Sequence, residues 1–445
     1  MKYDVAIIGG GLSGLTAAVD LSLRGAKVIV LEQSLELGGR CYSFTDPATG
    51  DIIDNGQHVL IGAYHNTLRY LDMIGARQLL REDENRTLYF HHPVKGMCGF
   101  SLERLPAGIK APKGFLTSRL FSPRDRIGML AIALQLLSRD EKLEKKLRLL
   151  TVEEWLVRSG QSEEARRSFW YPVAVSVMNE LPEKADAVLL ARAMKAAFLG
   201  KESDSTVLIP SVGQTELYVK PAMELLKGKG SEIQTGAEVQ CLTIRNGKTQ
   251  GVLLKNGTRI DAEKVISSVP YYAFERMLPA EVRSGGVFGY LGMFNSSPII
   301  SINLWFDRKF MPETYVGLIG RRIQWLFNRN AILAGDRKGG AVLSAVISGA
   351  YRYIDRSKED LVQMALEDIA SVYPESAGAK LNHSSVIKEK RATLSCTPEA
   401  EQVRPLTRTT IGNLFLAGDW TDTGFPGTIE GAVMSGFSAA IAAER

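Results

Sequence analysis

The residues best suited to chemistry gather at the two ends of the chain. Gly9, Gly11 and Gly14 have the spacing G-x-G-x-x-G between an apolar run at 3–8 and a helical stretch at 12–23. In that setting the first glycine permits a tight turn, the second lets backbone approach a pyrophosphate, and the third lets helix pack on strand. Leu12 and Ser13 open the helix, whose N-terminal N–H groups and dipole favour phosphate. A second apolar run at 27–31 delivers Glu32, then Gln33, where a carboxylate would accept hydrogen bonds from ribose hydroxyls. At the other end a short apolar run, 414–417, leads into Gly418-Asp419. A glycine-rich loop with Gly427 and Thr428 then opens a small-residue helix at Ile429-Glu430-Gly431-Ala432-Val433. The spacing predicts that both termini fold around one dinucleotide.

The residues just after Glu32 separate FAD from NAD. Gly38, Gly39 and Arg40 come within a few positions, giving glycines for close approach and a guanidinium for phosphate or flavin oxygens. Asp54-Asn55-Gly56-Gln57-His58 comes next. The pattern resembles the amine oxidase, protoporphyrinogen oxidase and phytoene desaturase superfamily of flavoproteins. The resemblance implies FAD as cofactor, with Asp419 on a ribityl hydroxyl, the helix from Thr428 aimed at the flavin pyrimidine, and backbone near Val239 facing the adenine. It extends the cofactor-contacting set to Gly56, Gln57, His58, Gly427, Ile429 and Ala432. Read as a residue alone, Val239 is equally an ordinary core valine.

Residues 54–64, Trp170-Tyr171-Pro172 followed by Asn179, Leu208-Ile209-Pro210-Ser211, and 418–433 narrow the resemblance. They are similar to the squalene-associated FAD-dependent desaturases, the hydroxysqualene dehydroxylases. One departure lies at Asn179-Glu180-Leu181-Pro182, where Asn-Thr-Pro-Pro is expected. The resemblance implies reductive removal of the hydroxyl of hydroxysqualene to give squalene, for hopanoid or related triterpene synthesis, with association with the prenyltransferases upstream. A phytoene-type desaturase, running the same cofactor oxidatively, and a flavin-binding protein without turnover are the alternatives. The reductive reaction needs an acid for the departing oxygen. His58 reads either as that donor or as a structural histidine holding the Asp54 loop. Glu430, starting the last helix, and Asp54 are the other candidates, each with an equally plain structural reading. Tyr64, Trp170 and Trp420 read as pocket or core aromatics.

These groups need a scaffold, and the chain is long enough for one. It has 445 residues, 45% of them hydrophobic, enough for two domains. The expected class is α/β: a Rossmann-like FAD-binding domain assembled from 1–80, 205–290 and 385–445, and an α+β substrate domain from 81–204 (helical) and 291–384 (sheet). Between 205 and 290, strands are expected at 237–244, 251–254 and 264–270, with turns at 245–248 and Asn256-Gly257. The substrate domain is expected to hold helices at 125–138, 140–159, 183–199 and 358–372, and strands at 299–306, 324–328 and 342–348.

A net charge of +5, with no basic block interleaved with aromatics, argues against nucleic acid as a partner. The four cysteines, Cys41, Cys98, Cys241 and Cys396, form no C-x-x-C, so neither a metal site nor a disulfide framework is signalled, and a reducing cytoplasm is expected. Met1 leads straight into the first strand, and no apolar run reaches the roughly 18 to 20 residues of a spanning helix. The helix after Ser122-Pro123 is apolar nearly all round from Ile127 to Leu137, and Lys110, Lys113, Arg119 and Arg124 precede it. It reads as a buried substrate-domain helix or as a monotopic patch on the inner face of the membrane, through which an apolar substrate would leave the bilayer.

Overall fold

Continuous runs of valine, isoleucine and leucine become the inner strands of a parallel sheet. The computed structural model describes residues 2–105, 111–283, 285–333 and 340–444. Strand Lys2–Ile8 pairs in parallel with Val28–Leu31 on one side and Arg259–Ser267 on the other, the latter in register from Lys2 opposite Asp261 to Ile8 opposite Ser267. Glu232–Gln234 extends one edge, and Leu414–Leu416 pairs with the C-terminal half of Arg259–Ser267. All four residues of Val28–Leu31 are buried, as a parallel strand covered on both faces requires. The N-terminal part of Arg259–Ser267 carries the antiparallel hairpin Val239–Arg245/Lys248–Leu254. That hairpin turns at Asn246 and Gly247, both with positive φ (51° and 72°), the twist a two-residue connection favours.

Helices Leu12–Leu23 and Ile429–Glu444 pack on this sheet and on each other. They cross closely because of one glycine. A Cβ on Gly436 would lie 2.4 Å from the Ser13 carbonyl oxygen and 2.8 Å from Thr16 Cβ. First and last helices of the chain thus form one layer.

A second seven-stranded sheet has the order Leu381–Leu394, Ser296–Phe306, Ala341–Ser348, Trp325–Asn328, Tyr315–Leu318, Thr87–His92, Gly96–Ser101. All its pairs are antiparallel except Tyr315–Leu318 with Thr87–His92. Ile300, Ile302, Leu304, Leu343, Ala345 and Ile347 form its apolar face, in one core with Leu361, Met364 and Ile369 of helix Lys358–Ala370. The opposite face of Ser296–Phe306 turns toward the segment that follows Arg40.

The boundaries differ from expectation for physical reasons. The expected helix at 140–159 is two helices, Asp140–Leu147 and Val152–Arg158. Leu149 takes a positive φ of 69°, and Thr151 starts the second helix with a capping box to Glu154. The helix expected from 183 begins at Ala187, where Asp186 caps Leu189 N–H at 2.9 Å. Segment 81–204 opens with a hairpin, Thr87–His92/Gly96–Ser101, that belongs to the second sheet. Strand Leu381–Leu394 runs through the expected 384/385 boundary, so one strand links the two units.

Helix Pro123–Leu136 is buried on one face only. Its capping box joins Ser122 and Asp125, and Met129, Ile132 and Leu136 point inward. Ile127, Leu130, Leu134 and Leu137 are 59–72% exposed. The expected burial therefore describes half of this helix. Arg119 and Arg124 beside it are exposed, and Lys110 lies outside the described residues.

Candidate functional site

The glycine turn divides its work as the spacing predicts. Gly9 has φ +100°, and a Cβ on Gly14 would lie 2.1 Å from the Gly9 carbonyl oxygen, so helix and turn touch backbone to backbone. At Gly11 a Cβ would meet nothing nearer than Gly39 Cα at 3.9 Å. The open position is therefore the one where pyrophosphate would approach, above the buried Leu12 and Ser13 of the first helical turn. Glu32 is buried at the end of its strand and accepts from Gly10 N–H (2.7 Å) and Ser34 N–H (2.9 Å), one bond to each oxygen. Each oxygen keeps a lone pair for a sugar hydroxyl. Gln33 beside it is exposed. The Glu32 carbonyl accepts from Ala237 N–H, which brings the strand starting at Val239 to the same end of the site.

Gly38 and Gly39 take φ +108° and +61°, and Gly38 N–H donates to the Gly10 carbonyl. This sets Arg40 against the other terminus: its Nη2 donates to Asp419 Oδ1 and its Nη1 to the Ala392 carbonyl, both at 2.6 Å. Asp419 follows Gly418, at φ +125°, whose N–H donates to Ser435 Oγ. The other Asp419 oxygen lies 3.3 Å, and Thr393 Cβ 3.2 Å, from where a Cβ on Gly427 would stand. Thr428 Oγ1 accepts from Gly431 N–H at 3.2 Å and caps the last helix, leaving the N–H groups of its first turn, from Ile429 on, without intrahelical partners. Ala432 lies one turn further and is half-buried.

Sequence reasoning missed the residue that shapes this loop. Arg404 is buried and donates to the carbonyls of Asp419 (3.0 Å), Thr421 and Phe425 (2.9 Å) and to both Glu401 oxygens (3.0 Å). Burial pushes the Glu401 carboxyl up to about 7, against the opposing pull of Arg404. Nothing local in Val403-Arg404-Pro405 marks this arginine; its partners arrive through tertiary folding.

The loop 54–58 is held just as firmly. Asp54 Oδ1 accepts from Ser43 Oγ (2.7 Å) and Gln214 N–H (3.0 Å), while Oδ2 faces Arg329 Nη1 at 3.4 Å. Arg329, buried and also unmarked in the sequence, donates to Gln57 Oε1 (2.7 Å) and the Ile52 carbonyl. Asp54 thus anchors the loop, the plainer of the two readings its sequence position allows. Glu430 is held in the same way. Its Oε1 accepts from Asn66 N–H and Nδ2 (both 2.9 Å), and its Oε2 from Thr67 N–H (2.8 Å) and Oγ1 (2.6 Å). With every oxygen taken, it caps helix His65–Met73, whose own N-cap Tyr64 offers no side-chain bond.

His58 is the third candidate near the loop. Its Nε2 lies 3.7 Å from where a Cβ on Gly56 would stand. Burial lowers its pKa below the usual 6.5, against a raising influence from Asp54. Trp170 and Trp420 are fully buried and donate to Gln161 and to the Val269 carbonyl, as core aromatics do. Asn179, at a positive φ of 47°, bridges Ser297, Thr393 and Gly349. Glu180, beside it, is fully buried and accepts from Leu181 N–H, Tyr351 OH and Ser395 Oγ.

An open glycine, a buried carboxylate with spare lone pairs, and an arginine and an aspartate from opposite ends of the chain suit a dinucleotide carrying a polyol. Asn55 adds a buried Oδ1 with no partner among the described residues, while its Nδ2 holds the Arg40 carbonyl.

Known proteins agree with this geometry. The family described as flavin containing amine oxidoreductase matches the chain over residues 12–443. The hydroxysqualene dehydroxylase of Rhodopseudomonas palustris is 29% identical over 445 residues, spanning 99% of this chain and 98% of that one. The 15-cis-phytoene desaturase of an Oncidium hybrid is 26% identical over 455 residues, spanning 97% of this chain and 76% of that one. Among solved structures, an oxidoreductase from Methanosarcina mazei superposes with a TM-score of 0.76 at 19% identity, over 98% of this chain and 99% of that one. Putrescine oxidase bound to putrescine does so at 0.72 and 17%, over the whole of both chains. The α/β class expected from the sequence is the fold of these structures, and FAD is the cofactor.

Proposed function

The chain belongs to the flavin-containing amine oxidoreductases, and from that premise we propose that this FAD-dependent oxidoreductase removes the hydroxyl of hydroxysqualene reductively to give squalene. The observation that carries the reading is length. The chain matches the Rhodopseudomonas palustris hydroxysqualene dehydroxylase end to end, whereas it spans 76% of the Oncidium phytoene desaturase. The product would feed hopanoid or related triterpene synthesis, next to the prenyltransferases that supply the substrate.

Reduced FAD, when bound, supplies hydride to the allylic carbon as the C–O bond breaks. The chain has the other tasks. The units drawn from 1–80, 205–290 and 385–445 hold the cofactor through Gly11, Glu32, Arg40 and Asp419. The substrate sheet and helices keep water from the allylic carbon. His58 gives a proton to the departing oxygen, which leaves as water. The exposed stripe Ile127, Leu130, Leu134, Leu137, with Arg119 and Arg124 nearby, supports peripheral attachment to the inner membrane face, where a squalene-like substrate resides. Among the described residues no helix is long and apolar enough to cross a membrane.

The phytoene desaturase relationship, at 26% identity over 97% of this chain, favours a second reading, desaturation of a polyene by oxidised flavin. One anaerobic experiment separates the two. Reduced holoenzyme mixed with hydroxysqualene is expected to recover oxidised-flavin absorbance and form squalene in equal amounts. Reduction of oxidised holoenzyme by phytoene, with no reaction in the first mixture, would replace the dehydroxylase with the desaturase.

A further inference from the structure

Strand Ser296–Phe306 has two unlike faces. Ile300, Ile302, Leu304 and Phe306 enter the core under helix Lys358–Ala370. The alternate residues face the cofactor-side loop, where a pocket for a pure hydrocarbon would be lined by apolar side chains. There Ser301 and Asn303 are only 2% and 1% exposed, and Ser301 Oγ and Asn303 Nδ2 have no hydrogen-bond partner among the described residues. Buried donors left unpaired are costly, so a bound group, a water or a ligand, must serve them.

Their neighbours say which ligand. Trp305, next on the same face, packs with Ile53, and its Nε1 donates to Asp51 at 2.6 Å, so the hairpin before the loop lies on this face. Loop 54–58 continues along the strand. Ser301 Oγ lies 3.6 Å and His58 Nε2 3.7 Å from one point, the place a Cβ on Gly56 would take. Gln214, whose Nε2 donates to the Gly56 carbonyl, leaves its buried Oε1 unpartnered. Ser301 Oγ and His58 Nε2 thus flank the same glycine that Gln214 holds, so unpaired polar atoms from the sheet and from the loop side gather around Gly56. A hydroxyl group, which both accepts and donates, fits such a set; a hydrocarbon satisfies none of it.

We infer that Ser301 and Asn303, facing Gly56, Gln214 and His58, form an alcohol-binding pocket that selects an oxygen-bearing polyisoprenoid over the matching hydrocarbon. That the alcohol is hydroxysqualene rests on the proposed function; that it is an alcohol rests on the unpaired groups.

The test is titration of oxidised holoenzyme with hydroxysqualene and, separately, with squalene, followed by the change in flavin absorbance. Wild type is expected to bind the alcohol at least about tenfold more tightly. Ser301→Ala and Asn303→Val are each expected to cut that preference about three- to tenfold, one hydrogen bond's share, with squalene affinity and FAD content unchanged. Ser301→Thr, which keeps the hydroxyl, should restore it. An unchanged preference in both variants overturns the pocket. So does loss of FAD or of folding in both, since the groups would then serve the cofactor or the packing. A wild type that never turns over hydroxysqualene, yet shows a preference that Ser301→Ala removes, sinks the proposed reaction and keeps the pocket. Turnover with a preference indifferent to both substitutions does the reverse.

Discussion

At the scale of single residues, His58, the proposed proton donor, carries a cost. Burial holds its pKa below 6.5, so its imidazole is mostly neutral at neutral pH. If it protonates the leaving oxygen, single-turnover oxidation of the reduced flavin by hydroxysqualene should quicken as pH falls, levelling only below 6.5. His58→Ala should slow that step by about 100- to 10,000-fold and flatten the pH limb, with FAD content intact. A loss under about tenfold with the limb preserved would make His58 structural. The same shift bears on stability. The unfolded chain takes up a proton at higher pH than the folded one, so stability should fall as pH drops through 6.5 toward the folded pKa. His58→Ala should lack that component in urea titrations at pH 7.5 and 5.5.

At the scale of elements, the last helix is a fastener. Glu430 leaves its own helix to cap His65–Met73 with four hydrogen bonds, two of them to backbone N–H groups that Tyr64 leaves unserved. A carboxylate in that position stabilises a helix N-terminus by charge as well as by hydrogen bonding. Glu430→Ala should destabilise the protein by about 2 to 4 kcal/mol, the sum expected for a lost cap and charged hydrogen bonds. Glu430→Gln, with one accepting oxygen, should fall between. Urea midpoints at constant m-value measure this. A Glu430→Gln protein as stable as wild type but without turnover would return this residue to the chemistry. Arg404 fastens the neighbouring loop 419–425, as its bonds to three loop carbonyls show.

At the scale of the whole molecule, the exposed leucines define an outward direction. Ile127, Leu130, Leu134 and Leu137 recur at helical spacing on one side, while Met129, Ile132 and Leu136 anchor the other in the core. Leu116, 51% exposed, and Arg119 and Arg124 lie just upstream. Each methylene moved from water into the acyl boundary contributes about 0.8 kcal/mol, so a few such side chains suffice for reversible attachment. The holoenzyme should float with liposomes containing anionic lipid. A Leu130→Ser/Leu134→Ser variant should float less and keep its flavin, because both side chains already face solvent. Equal flotation of the two proteins would leave attachment to some other surface.

The cofactor unit was legible in the sequence because its parts are local. Gly9 to Gly14, Glu32 and Gly418-Asp419 each sit at a strand end, where a few consecutive residues determine turn, helix start and polarity together. The apolar runs that became inner parallel strands announce themselves for the same reason: burial on both faces leaves no polar position. The helix at 123–136 was half legible. Its composition is apolar all round, and only packing could choose which stripe meets the core. The roles of Asp54 and Glu430 were not legible, because a carboxylate's work is set by its donors. Apart from Ser43, 11 residues from Asp54, those donors, Gln214 and Arg329 for one and Asn66 and Thr67 for the other, lie from 160 to 364 residues away along the chain. Nor could spacing show that Ser301 and Asn303 end buried and unpaired, with Ser301 beside the Gly56 loop. A serine and an asparagine in a strand are ordinary until a distant hairpin and loop, residues 51–58, close over that face, and the closure belongs to the tertiary structure alone.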